Sequence, residues 1–224
     1  MRLAIFEKDE DYLAFERVLA ESLGRPDAPR LLAYCLMPNH WHLVVRAGKR
    51  TNLSTWMQWV TVTHTHRWHA HYHTTGEGPL YQGRFKSFPV QQDGHFLTVC
   101  RYVEANALRA KLAARAEQWR WCSLWVRRNQ TSVYVTARRP HRQREGRSEL
   151  KRWLSSWPVD RPRTWLAEVN RPMGEPSLQT VRQSLARAVP LGSERWKSGI
   201  ATRLNLDITL RPRGRPRKDA VKSS

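Results

Sequence analysis

His40-Trp41-His42 sits inside the stretch Leu36-Met37-Pro38-Asn39-His40-Trp41-His42-Leu43-Val44-Val45. Side chains alternate across a β-strand with period two, so on a strand both imidazoles share one face and Trp41 takes the other. Two imidazoles so placed can grip one divalent cation, histidine being the commonest protein metal ligand. The apolar, β-branched run Leu43-Val44-Val45 suits a strand. About sixty residues further on lies Arg101-Tyr102-Val103-Glu104-Ala105-Asn106. Helix positions four apart share a face, so Tyr102 and Asn106 would present a phenol and an amide side by side. A free phenol, with a pKa of about 10, is a poor nucleophile. Beside a divalent cation that polarises a phosphate, it can attack phosphorus and become covalently attached. Alone, each pattern has a bland alternative: a strand whose surface positions happen to be histidines, and a partly buried helix tyrosine.

The elements that must position these groups can be read from periodicity. Residues 8–23 carry Tyr12, Leu13, Phe15, Val18, Leu19 and Leu23 at three- and four-residue spacing, after acidic Asp9, Glu10 and Asp11; a helix is expected there. Gly24-Arg25-Pro26-Asp27 breaks it. Residues 30–37 read as a strand, and Pro38-Asn39 as a tight turn into the histidine strand, giving a hairpin. Residues 53–72 form a second expected helix, capped by Asn52, with Trp56, Trp59, Val60 and Val62 as its apolar face. After a loop at 74–79, residues 85–90 read as a strand and 96–112 as a third helix. The order helix, strand, strand, helix, strand, helix predicts an α+β, ferredoxin-like sandwich on an antiparallel sheet. Its first strand is missing: Leu3-Ala4-Ile5-Phe6 is too short and too close to the first helix.

The chain has 224 residues and a formal net charge of +20, with a pI of about 11.1. Residues 121–224 carry 23 Lys/Arg against 8 Asp/Glu, so the excess lies mostly in the second half. Such a charge points to a polyanionic partner. No apolar run approaches the ~20 residues of a spanning helix, and no secretory signal opens the chain; nucleic acid in the cytoplasm is favoured over a membrane. Cys35, Cys100 and Cys122 are three in number and far apart, so buried free thiols are expected rather than disulfides or a zinc ribbon. The expected division is a catalytic domain at 1–126, a basic linker at 127–152, a small helical extension at 153–210 and a basic tail at 211–224. The linker reading rests on Arg127, Arg128, Arg138, Arg139, Arg142, Arg144, Arg147, Lys151 and Arg152 among few apolar residues.

Together the two motifs are far more specific than either alone. His-hydrophobic-His after Met-Pro-Asn, followed by Tyr-x-x-x-Asn, resembles the single-tyrosine HUH transposases (transposase IS200-like), and within them the REP-associated tyrosine transposases. Leu80-Tyr81-Gln82-Gly83-Arg84-Phe85-Lys86-Ser87 is similar to that family's strand before the catalytic helix. Residues 101–110 are similar to the helix itself, and Trp119-Arg120-Trp121-Cys122-Ser123-Leu124 to the closing segment. The likeness is strong over residues 5–125 and continues weakly into Gly192-Ser193-Glu194-Arg195-Trp196 and the terminal Gly-Arg-Pro element. The resemblance implies that His40, His42 and Asn106 bind Mg²⁺ or Mn²⁺, which grips a scissile phosphate of single-stranded DNA. It implies Tyr102 as the nucleophile, forming a 5′-phosphotyrosine and a free 3′-hydroxyl at hairpins of repetitive extragenic palindromes. It also implies a nucleoid-associated protein, monomer or homodimer. The chain departs from the pattern in lacking the family's opening strand and in having Ala107 where a proline is frequent.

Several further residues fit nucleic acid. Arg84, Lys86, Arg101 and Arg109 flank the expected site and are candidates for the phosphate backbone. Pro212-Arg213-Gly214-Arg215-Pro216 resembles an AT-hook, in which Arg213 and Arg215 would enter the narrow minor groove of A·T-rich duplex; a merely solvated basic tail fits equally well. His64, His66, His69, His71 and His73 suggest a metal cluster, but a surface stripe is the better expectation. Most tryptophans, including Trp41, Trp56 and Trp59, are expected in the core. Two alternatives to the transposase stand: a non-catalytic hairpin-binding protein of the same fold, and a metal-dependent phosphodiesterase that uses water.

Overall fold

Carboxylates offset the positive end of a helix dipole, and Asp9, Glu10 and Asp11 open helix α1 (Asp9–Leu23). The Asp11 carboxylate also accepts from the backbone N–H groups of Glu7 and Lys8, closing the helix start. The computed structural model describes residues 4–129 and 148–211. Strands β1 (Arg30–Met37) and β2 (His40–Arg46) pair antiparallel across the two-residue turn Pro38-Asn39, with Met37 opposite His40 and Cys35 opposite His42. Helix α2 (Leu53–Tyr72) starts where Asn52 accepts from the Thr55 N–H at 3.0 Å and ends at His73, in a left-handed conformation.

The period-two alternation sorts the hairpin into two faces, and helices cover both. Trp41, Leu43 and Val45 join Leu31, Tyr34 and Leu36 in a cluster with Phe15 and Leu19 of α1 and Trp56 and Val60 of α2. On the other face Ala33, Cys35, Met37 and Val44 pack with Phe96, Val99, Tyr102 and Val103. The last four belong to α3 (Gly94–Glu104), which is followed directly by the one-turn helix α4 (Asn106–Arg109). The helix expected over 96–112 is thus divided at Ala105. The hydrogen-bond ladder nevertheless continues across it, with Ala105 N–H bonded to Arg101 C=O and Arg109 N–H to Ala105 C=O, both at 2.9 Å. Tyr102 and Asn106 stay one turn apart.

The chain is α+β, and the sheet among the described residues has two strands. The strand expected at 85–90 does not form. Pro89 has no N–H to give a ladder, residues 84–87 are exposed, and only Val90 makes an isolated bridge, to Leu191. A hairpin by itself is marginal, and its edge leaves backbone groups unpaired. Here the outer edge of β1 is closed by loops and side chains. Leu36 N–H donates to Trp121 C=O (2.9 Å) and Leu36 C=O accepts from Trp119 Nε1 (2.8 Å). Tyr34 N–H donates to Ser123 Oγ (3.1 Å), Leu32 C=O accepts from Trp157 Nε1 (2.8 Å), and Leu31 C=O accepts from Ser155 N–H (2.8 Å).

The ends of the expected basic linker are built structure. Arg127 and Arg128 lie on α5 (Ser123–Arg128), and Glu149–Trp153 form a 3-10 turn. Arg127 is drawn inward because its guanidinium finds two carbonyls, those of Leu32 (2.9 Å) and Ser155 (2.7 Å), and a tryptophan face at Trp157. Arg138, Arg139, Arg142, Arg144 and Arg147 lie outside the described residues, as do Arg213 and Arg215. Further on come α6 (Trp165–Asn170), α7 (Glu175–Arg187), α8 (Glu194–Arg203) and α9 (Asp207–Leu210). Trp165, Val169, Leu178, Val181 and Leu191 share the core cluster of α3. Cys35, Cys100 and Cys122 are buried free thiols. No helix of the described residues is long and apolar enough to cross a membrane.

Candidate active site

The hairpin register turns His40 and His42 toward α3. Their ring centroids are 5.0 Å apart and their planes nearly perpendicular (89°). His40 Nδ1 lies 2.6 Å from Asn39 Oδ1. An amide oxygen only accepts, so this contact favours the tautomer with its proton on Nδ1 and a lone pair on Nε2. His42 keeps some surface, yet its ring lies among packed neighbours. Burial, reinforced by the charges of His40 and Arg109, pulls its pKa down to about 3. Both features favour the neutral imidazole that binds metals.

Facing the histidines is the buried side of α3 and α4. The Tyr102 ring is 5.8 Å from that of His42, edge to face, and only 9% of the residue is exposed. Over its other side lies the Arg109 guanidinium, 4.2 Å from the ring centre. Arg109 donates to Asn106 Oδ1 at 2.6 Å and, more weakly, to Tyr102 C=O at 3.4 Å. Asn106 Nδ2 is buried with no hydrogen-bond partner among the described residues. This orphan donor is an exception to the rule that buried polar groups are paired. No three His, Cys, Asp or Glu side chains of the described residues cluster as a metal site. The donors present are therefore two imidazoles and one amide oxygen, beside one fixed cation.

His40, His42, Tyr102, Asn106 and Arg109 are thus brought together, and the other candidates are not. Arg84 and Lys86 are exposed on the irregular 84–87 segment. Arg101 turns away, donating to the carbonyls of Arg171 (3.0 Å) and Pro172 (3.2 Å). The histidines of α2 scatter. His64 is buried against Phe15 and bonded to Tyr81, and His69 bonds Thr74. Three contributors escaped the sequence reading. Asn39 orients His40, and its place directly before the histidine pair was the available signal. Arg182 of α7 comes close enough for its charge to be felt at Arg109. Glu104, fully buried, accepts from Ser123 Oγ (2.6 Å) and Trp165 Nε1 (2.7 Å), tying the tyrosine helix to α5 and α6. Burial raises the Glu104 pKa, against the opposing effect of those two hydrogen bonds.

Two histidines on a strand thus face a tyrosine and an asparagine one helical turn apart. Residues 2–106 match the family model described as transposase IS200-like, a stretch that holds His40, His42 and Tyr102 and ends on Asn106. Both the hairpin and the tyrosine helix lie within the stretch that matches this transposase family. No curated protein and no solved structure matches the chain.

Proposed function

We propose that this chain is a metal-dependent DNA strand transferase that cuts and rejoins single-stranded DNA at hairpin, REP-like sequences through Tyr102. The observation that carries this reading is the seat of the Tyr102 ring 5.8 Å from His42, on the face that also bears His40. The donor set fits the implied cation. The Asn106 amide oxygen suits Mg²⁺ or Mn²⁺, substrate phosphate and water commonly complete such a shell, and the neutral imidazoles add nitrogen donors that divalent metals accept. The cation, Mg²⁺ or Mn²⁺ held by His40, His42 and the Asn106 amide oxygen, would polarise the scissile phosphate and offset its developing charge.

The chain's own residues supply the rest. The Tyr102 phenolic oxygen forms a bond to phosphorus while the P–O3′ bond breaks. In net the phenolic proton passes to the leaving 3′-oxygen, giving a 5′-phosphotyrosine and a 3′-hydroxyl. The reverse step with another 3′-hydroxyl rejoins the strand without nucleotide hydrolysis. Arg109 and Asn106 Nδ2 supply donors for phosphate oxygens. The net charge of +20 supplies long-range attraction to DNA.

The near-complete burial of Tyr102 under Arg109 favours a second reading, a hairpin-binding protein without catalysis. Incubation with labelled single-stranded hairpin DNA and Mg²⁺ or Mn²⁺, followed by denaturation, separates the two. A protein–DNA adduct that disappears in Tyr102→Phe is the expected result. Binding without an adduct supports the second reading. Hydrolysed ends without an adduct point to a water-using phosphodiesterase.

A further inference from the structure

We propose that Arg109 is an internal stand-in for the divalent cation: it occupies Asn106 and covers Tyr102 until a DNA phosphate draws its guanidinium away, so that metal binds tightly only with DNA. This rests on the metal-dependent reading above and adds an order to it.

Four observations converge. The amide oxygen that would serve the metal already accepts a 2.6 Å charge-assisted bond from Arg109. The same guanidinium lies 4.2 Å from the centre of the Tyr102 ring, an attractive cation–π contact that also hides the nucleophile. Its positive charge also reaches His42, and the cluster of His40, His42, Tyr102, Asn106 and Arg109 contains no carboxylate to offset a second cation, so guanidinium and divalent metal oppose one another there. Finally, the arrangement is incomplete, because Asn106 Nδ2 stays buried without a partner.

A phosphate resolves all four. Arginine presents five donors in a planar fork that matches phosphate oxygens in pairs. Arg109 is half-buried, so its guanidinium has room to turn outward. A phosphate between the two side chains would take the fork and accept from Nδ2. Oδ1 and the tyrosine ring are then released, and the anionic oxygens bring the negative charge that the site lacks. Arg182 of α7, whose charge already bears on Arg109, adds to the pull on an incoming phosphate. By linkage, DNA raises metal affinity and metal raises DNA affinity by the same factor.

The experiment is Mn²⁺ titration of the full chain, read by the electron paramagnetic resonance signal of free Mn²⁺. Without DNA, Arg109→Gln is expected to bind Mn²⁺ at least about tenfold more tightly than wild type, within the usual range of coupling between sites. Adding His42→Ala to that variant removes the gain. In Tyr102→Phe, which keeps the ring and cannot cleave, hairpin DNA tightens Mn²⁺ binding by a similar factor. The blank for Mn²⁺ held by the DNA itself is His42→Ala/Tyr102→Phe. Equal Mn²⁺ affinity of wild type and Arg109→Gln without DNA overturns the proposal, as does a gain that survives His42→Ala. Should Arg109→Gln fail to fold by circular dichroism, the Tyr102→Phe arm decides: Mn²⁺ affinity indifferent to DNA overturns it. Absence of His42-dependent Mn²⁺ binding in every state, DNA included, overturns the metal reading beneath it, a result distinct from DNA-independent binding.

Discussion

A histidine–tyrosine pair lies on each side of the hairpin, at the same ring separation. His42 and Tyr102 are 5.8 Å apart on one side, and His64 and Tyr81 are 5.8 Å apart on the other. Both histidines are held neutral by burial, with pKa values drawn down to about 3 and about 4. Their surroundings differ. The Tyr81 hydroxyl accepts from Trp41 Nε1 (3.3 Å) and shares a hydrogen bond with His64 Nδ1 (2.7 Å), and Phe6 and Phe15 pack on the imidazole. Trp41 Nε1, the Tyr81 hydroxyl and His64 Nδ1 each have a partner there, and none of these residues has a buried side-chain atom left unpaired. Around His42 and Tyr102 stand a cation, a second histidine and an amide with one buried donor unpaired. Burial and a perturbed pKa are therefore shared by a packing unit and a candidate site. What marks the site is unmet hydrogen-bonding capacity beside uncompensated charge.

Exchanging the two histidines for alanine breaks this comparison most sharply. His42→Ala removes a proposed metal ligand, and the several kcal/mol of charge stabilisation lost corresponds to about a 10²- to 10³-fold slower adduct formation. Its effect on stability is the smaller of the two. His64→Ala empties a fully enclosed aromatic pocket and leaves the Tyr81 hydroxyl short of a partner. It is expected to cost about 2–4 kcal/mol in urea unfolding while leaving the adduct rate of the folded protein unchanged. A slow adduct in His64→Ala at a temperature where it is fully folded would erase the distinction between the faces.

The sequence made one face more legible than the other. Period-two alternation in residues 40–45 and the turn at Pro38-Asn39 gave the hairpin, its register and the shared side of His40 and His42. Helical spacing placed α1 and α2 to within a residue. The strand at 85–90 was misread because alternation records half-burial, and Phe85 turned out exposed with no strand to pair. The closing of β1 by Trp119, Trp157 and Ser123 was not legible, since a side chain bonding a strand edge across 83 to 125 residues leaves no local period. At the site, residue types and spacing pointed to His40, His42, Tyr102 and Asn106. The seat of Arg109 on Asn106 and Tyr102 depends on where α3 breaks and how the guanidinium packs, which spacing does not encode. Arg101, one residue before the tyrosine, illustrates the converse: a candidate for phosphate by position, it is engaged by the backbone of residues 171 and 172.

Acid sharpens the comparison with a smaller effect. A histidine whose folded pKa lies below the unfolded value of about 6.5 binds fewer protons when folded, so its contribution is complete above that pH and is lost as pH falls. For His64 the window runs from about 6.5 to about 4 and the loss is on the order of 3 kcal/mol. Glu16 and Glu104 act in the opposite sense. Their raised pKa values make their contributions present below about 4.5 and lost as pH rises through the folded values. Comparison of His64→Gln with wild type cancels those terms. Urea unfolding from pH 7 to pH 4 should show a shallower decline for the variant, the remainder including His42. Parallel curves for the two proteins would remove His64 as a source of acid sensitivity.

The smallest of these effects tests how the candidate catalytic face is held. Trp165→Phe keeps a ring for the edge contact with Trp157 (5.1 Å) but removes the donor that meets Glu104 Oε2 at 2.7 Å. Whether Glu104 is charged or neutral, one oxygen of a fully buried carboxyl then loses its partner, a cost of about 1–2 kcal/mol. Ser123 Oγ still donates to the other oxygen, so the loss is partial. Because Glu104 is two residues from Tyr102 on α3, the change also loosens the end of the helix that presents the proposed nucleophile. The expected result is a lower urea midpoint with an unchanged denaturant slope, and a slower adduct rate at temperatures where the variant is fully folded. The Tyr81 face has no hydrogen bond to α6 among the described residues, so His64–Tyr81 packing in the folded variant should be untouched, and the near-ultraviolet dichroism of the Trp41 cluster below the transition should be retained. An unchanged urea midpoint would mean that the C-terminal helices lie against the tyrosine helix without supporting it.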